Sequence, residues 1–119
     1  MPQFTYSQAL TANQLGFDPL TSWQYRQVPL QYGAGAVVKL LVRATTVGVR
    51  LTIYSGAMTI QQRSPVQGGG TAGVTPSELN TTPVVWRADP GDFILLQHDE
   101  VAAGTPTVDG VVIIEPIVG

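Results

Sequence analysis

Cysteine is absent from the 119 residues, and that gap removes disulfide frameworks, thiolate metal sites and cysteine nucleophiles together. Charge is scarce too. Asp, Glu, Lys and Arg make up 12% of the chain, about half the usual share. The six basic residues form no cluster and the net charge is −2. Counterion release needs several Lys or Arg on one face, so no nucleic-acid partner is expected. No apolar run approaches the ~18 residues of a membrane span, which argues against a membrane partner. The opening MPQFTYSQAL lacks the basic start and apolar core of a signal peptide. The expectation is a soluble protein made without secretion by that route.

Histidine is nearly absent as well. A Ser–His–Asp triad would have to be built on His98, and none of Ser7, Ser22, Ser55, Ser64 or Ser77 stands in a Gly-x-Ser-x-Gly context. On a strand His98 and Glu100 share a face, a two-ligand corner where a metal site wants three or four convergent donors. Asp89, Asp92 and Asp109 could gather calcium if the fold brought them together, but turn chemistry accounts equally for the first two. Gly68–Gly73 (GGGTAG) matches G-x-G-x-x-G, yet Pro76 follows almost at once and no helix opens behind it, so it reads as a loop tip. Asn80-Thr81-Thr82 fits a glycosylation sequon and reads here as a polar turn. No catalytic residue, metal or cofactor is expected, and the chain is read as a non-enzyme.

What is present is β-forming sequence punctuated by 13 glycines and 9 prolines, with 44% of residues hydrophobic. The stretch Val47–Pro65 organises the rest. Val49, Leu51 and Ile53 alternate with Arg50, Thr52 and Tyr54, Ser55-Gly56 supplies a tight turn, and Met58 and Ile60 resume the alternation, which predicts a β-hairpin. Further strands are predicted at Gln3–Gln8, Leu20–Val28, Ala36–Ala44, Val84–Arg87, Phe93–His98 and Val108–Ile117, the last with a kink at Gly110. Pro90-Gly91 is the pair that a type II turn asks for. Pro65–Pro83 is too rich in Gly and Pro for regular structure and longer than most loops, which marks a binding surface or a disordered segment. The predicted fold class is all-β: a two-sheet antiparallel sandwich, jelly-roll-like, of about eight strands. One domain spans residues 1–119, with 1–32 as an extended N-terminal arm.

Three strands are apolar on both sides. Phe93 and Leu95 oppose Ile94 and Leu96, Val111 and Ile113 oppose Val112 and Ile114, and Val37 and Leu41 oppose Val38, Leu40 and Val42. A strand in a two-layer sandwich has only one inner face. The spare faces lie either under the chain's own loops or against sister subunits. At about 25 cal/mol per Å² of apolar area, wetting them forgoes several kcal/mol. We infer a self-associating protein with Val37, Leu41, Phe93, Leu95, Val111 and Ile113 at the subunit interface. A rival expectation is a carbohydrate-binding sandwich, part of a phage adhesion device, that stacks sugars on Trp23, Tyr25 and Trp86. The competing fate of Trp23 and Trp86 is to plug the ends of the core.

The stretch LTIYSGAMTIQQRSPVQGGGTAGVTPSE, the ADPGD turn and the closing TVDGVVIIEPI together resemble the small cement or decoration proteins of tailed bacteriophages. The resemblance spans about Leu51 to Ile117 and includes no diagnostic motif. It implies a non-enzymatic virion protein, made in the host cytoplasm, that sits as a homotrimer on the capsid surface and ties together neighbouring copies of the major capsid protein. On that reading the N-terminal arm and the Pro65–Pro83 loop reach the lattice, with Phe4, Tyr6, Leu10, Leu15 and Phe17 as capsid contacts.

Overall fold

Alternation of apolar and polar residues makes strands wherever a turn residue lets the chain reverse. In the computed structural model, which describes residues 3–21, 23–77, 79 and 81–117, seven strands form among the described residues. They are β1 (Gln3–Ala9), β2 (Ala36–Ala44), β3 (Val49–Ser55), β4 (Met58–Pro65), β5 (Val84–Ala88), β6 (Ile94–Glu100) and β7 (Thr107–Pro116). All pairings are antiparallel. One sheet has the order β1-β7-β2-β5 and the other β4-β3-β6. The fold is the two-sheet antiparallel sandwich that the sequence predicts.

The central hairpin closes with Ser55 opposite Met58 and Gly56 at φ +59. A positive φ at the first central position matches the right-handed twist of the flanking strands. Gly91 sits at φ +85 and the Asp92 amide bonds back to the Asp89 carbonyl, as the Pro-Gly turn requires. The core is built from the inner faces of both sheets. Val38, Leu40, Val112 and Ile114 from the larger sheet meet Leu51, Ile53, Ile94 and Leu96 from the smaller, each fully buried. At about 1.5–3 kcal/mol per buried side chain, this two-faced layer supplies the main driving force.

Gly110 does not kink β7, whose register against both β1 and β2 runs unbroken through it. A Cβ at this position would lie 2.3 Å from Tyr6 Cζ, so the glycine instead makes room for the tyrosine ring directly opposite.

Three further expectations change. First, Leu20–Val28 is not a strand. Gln24–Arg26 forms a short 3-10 turn, and the described part of the segment meets the sheets through a single bridge, from Gln27 to Phe93, and through side chains, not through a ladder. Its alternation places Leu20 and Val28 in the core and Arg26 against Asp18, which a loop achieves as well as a strand. Ser22 and Asn80 lie outside the described residues, as does Met1. Second, the described part of 1–32 is no free arm. β1 is an integral strand, and Tyr6, Leu10, Leu20 and Val28 are buried in the core, because that much apolar surface is better hidden than extended into water. Third, the segment after β4 folds back onto the larger sheet. The Ala44 amide bonds the Gln67 carbonyl, Gly70 returns a bond to Ala44, and Gly73 donates to Asp109.

Candidate functional site

The polar groups that attract attention in the sequence are drawn into the core. β6 alternates Ile94, Leu96, His98 and Glu100 toward the opposite sheet, so the histidine and the glutamate share a face as predicted, and both are buried. The Nδ1 of His98 lies 3.3 Å from the Phe17 carbonyl and its Nε2 3.0 Å from the Tyr6 hydroxyl. A carbonyl can only accept, so Nδ1 carries the proton and Nε2 accepts from Tyr6. Burial lowers the imidazole to about 4, against the upward pull of the Phe17 carbonyl and of Asp18 and Asp99. Burial likewise pushes the Tyr6 phenol well above its ordinary range, with Asp109 and Asp18 adding to it. The pair is a neutral polar rivet between β1 and β6, that is, between the two sheets.

Glu100 is engaged differently. Backbone amides of Asn13, Ala102 and Gly104 donate to its carboxylate at 3.1–3.2 Å. Desolvation pushes its pKa up, but the amides of Asn13, Ala102, Gly104 and Ala103 outweigh it and hold the carboxyl below its usual value. Asn13 and Ala103 are two of the three non-glycine residues with positive φ among the described residues (φ +60 and +54). The carboxylate thus fastens two tightly curled loops to the end of β6. Arg26 is likewise occupied. It bonds Asp18 at 2.5 Å and the Ile94 carbonyl at 3.2 Å, and stacks 4.2 Å over the Phe93 ring. No cluster of three or more His, Asp or Glu that could hold a metal ion occurs among the described residues. Asp89 and Asp92 serve the β5–β6 turn, while Asp109 lies on β7.

The predicted glycan platform is divided. Trp23 stacks on Phe4 at 5.4 Å and lies 6.0 Å from Tyr25. Trp86 is buried on the inner face of β5, opposite Val38. Phe4 and Trp86 belong to the two outermost strands of one sheet, three strand spacings or roughly 14 Å apart. Each tryptophan closes one open side of the sandwich, so the three rings do not form one row.

The subunit-interface candidates also part. Val37, Leu41, Val111 and Ile113 share the outer face of the four-stranded sheet. Leu41 and Val111 are only 5% and 3% exposed, next to the end where residues 69–76 lie over Arg43 and Asp109. Those two are hidden by the chain itself. Val37 and Ile113 are half-buried and join Val85, 54% exposed, around a shallow concavity of about 260 Å³ in which Lys39 stands between Ile113 and Val85, and Val37 between Glu115 and Arg87. Phe93 and Leu95 belong to the other side of the molecule, Phe93 under Arg26 and Leu95 on the three-stranded sheet. Of the capsid-contact candidates, Tyr6 and Leu10 are buried, Phe4 and Phe17 half-buried against the core, and Leu15 is exposed. Val85 escaped the sequence reading, although its alternation with Val84 and Trp86 carried the signal.

Among the described residues the arrangement therefore presents an open concavity of mixed apolar and charged lining on one sheet, and a set of polar side chains committed to holding the sheets and loops together. Comparison with known protein families and with curated proteins finds no match for this chain.

Proposed function

We propose that the chain is a structural β-sandwich that self-associates and, following its resemblance to phage cement proteins, decorates and ties together a capsid lattice. The observation that carries this reading is the outer face of the four-stranded sheet, where Val37, Val85 and Ile113 surround an open concavity with no segment of the chain over it among the described residues. Open apolar side chains on a sheet face mark contact with protein, and the Lys39, Glu115 and Arg87 side chains set among these three would give such a contact its polar pairs. The low charge of the chain favours the same use, because a surface meant to be covered by neighbours has little need of ions. A homo-oligomer multiplies each lattice contact, so that weak individual contacts become strong through effective concentration.

Co-sedimentation with assembled capsid shells, read alongside the sedimentation coefficient of the free chain, tests both halves. The expected result is a concentration-dependent oligomer whose binding to shells is lost with Val85→Lys. A monomer that ignores shells at every concentration overturns the reading. A specific hit on a glycan array at Trp23 and Tyr25 without shell binding replaces it with the adhesion reading.

A further inference from the structure

A sheet edge left unguarded is an offer of hydrogen bonds, and natural sheets guard their edges against accidental pairing. The two sheets here have four edges, formed by β1, β5, β4 and β6. The β6 edge is covered by residues 14–17 and 27, through bonds between Phe17 and His98 in both directions, from the Glu100 amide to Gln14, and a bridge from Gln27 to Phe93. The β4 edge is spoiled by two register shifts against β3, by Arg63 at φ +38, and by a proline end at Pro65. The β5 edge is five residues long, carries Arg87, and lies between Pro83 and Pro90.

β1 lacks the covering segment, the bulges and the charge that guard the others, although Pro2 precedes it in the sequence as Pro83 precedes β5. Its seven residues QFTYSQA include no charge and no proline. Its register with β7 runs without a bulge from Gln3 opposite Ile113 to Ala9 opposite Thr107. Gln3, Thr5, Ser7, Gln8 and Ala9 are exposed. Among the described residues its backbone bonds to no strand or loop but β7, and the one side chain that reaches it is that of Gln8, on the Ala9 carbonyl.

We propose that β1 pairs edge to edge with β1 of a second copy, joining two four-stranded sheets into one continuous sheet across a two-fold axis. The sequence of the strand favours its own copy over a foreign one. It offers no charge by which to select a different partner, and it carries a hydroxyl on either side of Tyr6, Thr5 and Ser7, on the same outer face. Antiparallel pairing centred there sets Thr5 opposite Ser7 of the other copy twice, a cross-strand hydroxyl pair on the outer face, and puts Phe4 opposite Gln8. A two-fold axis makes each unpaired N–H and C=O meet an identical edge, so one strand satisfies both copies. This contact uses the opposite margin of the sheet from β5 and Val85, so it is separate from the outer-face contact proposed above.

Equilibrium sedimentation of the full chain over a concentration series tests the pairing and its register. Thr5→Lys with Ser7→Lys places like charges opposite each other on both sides of the two-fold axis, and association weakens by about tenfold or more. Thr5→Lys with Ser7→Glu places opposite charges there and restores association toward that of the unmodified chain. Both positions are exposed, so circular dichroism, and the urea midpoint at concentrations where the parent is monomeric, stay those of the parent. A parent chain that remains monomeric at millimolar concentration overturns the proposal, as do two double variants that associate alike. Loss of association in Val85→Lys, with both β1 double variants unaffected, overturns the edge pairing while leaving the outer-face reading in place.

Discussion

His98 is the residue on which acid acts first. Its ring is fully buried, protonated at Nδ1 toward Phe17 and accepting at Nε2 from Tyr6, so a second proton has no acceptor to meet without breaking the Tyr6 bond. The folded-state value near 4 lies below the ordinary 6.5. As pH falls below 6.5 the unfolded chain takes up a proton that the native chain refuses. The stabilisation is therefore whole above 6.5 and is lost as pH falls toward 4, by roughly 3 kcal/mol in all. Glu100, held below its usual value, acts with the same sign at lower pH: its contribution is present above the unfolded carboxylate value and is lost as pH falls through the folded one. Urea midpoints measured between pH 7.5 and pH 4.5 read the His98 part, and His98→Gln flattens that slope. A parent chain whose midpoint does not move across this window rejects the assignment. Tyr6, the partner, depends in turn on Gly110. Gly110→Val brings a Cβ to 2.3 Å from the ring and forces it off its position. The expected loss is about 1–3 kcal/mol by urea denaturation.

At the scale of elements, Glu100 decides the fate of two loops at once. Its carboxylate collects the Asn13, Ala102 and Gly104 amides, so Glu100→Ala leaves those donors without their acceptor while β6 itself keeps its pairing with β3. Amide exchange at Asn13, Ala102 and Gly104 accelerates in the variant, while amides of β2 and β7 keep the parent rates. Uniform acceleration throughout the chain would mean a global loss of stability and not a released clasp. Nothing in the spacing of His98-Asp99-Glu100 announces this role, because the donors come from loops 87 and a few residues away in sequence. The hairpin at Gly56, the Pro90-Gly91 turn and strands β2, β6 and β7 were legible because each is set by a local period and a local turn residue. Leu20–Val28 misled for the opposite reason. Its alternation is real, but Arg26 finds Asp18 eight residues back, and its guanidinium over Phe93 satisfies the segment without a ladder. The partition of strands between two sheets is set by no local period: Leu95 stands on the three-stranded sheet and Phe93 just before it, whereas Val37 and Ile113, with the same two-sided apolar pattern, stand on the four-stranded one.

At the scale of the whole molecule, the surplus of apolar strand faces divides into a part that folding hides and a part that it leaves open. Leu41 and Val111 belong to the first part and Val85, Val37 and Ile113 to the second, on one continuous face of one sheet. The line between them is drawn by where residues 69–76 fold back over Arg43 and Asp109, a long-range choice that strand periodicity cannot encode. The two parts must respond differently to mutation. Leu41→Ala removes a buried side chain and leaves a cavity, so unfolding free energy drops by about 2–4 kcal/mol at every protein concentration. Val85→Lys touches only exposed surface, so the stability of the monomer stays within about 0.5 kcal/mol. Its effect appears in the concentration dependence of the urea midpoint, which any oligomer stabilised by mass action must show and which this variant weakens, leaving the part owed to the β1 edge. A Val85→Lys chain that keeps the parent's concentration dependence assigns the association to another surface, and a Leu41→Ala chain that destabilises only at high concentration places Leu41 at the interface after all.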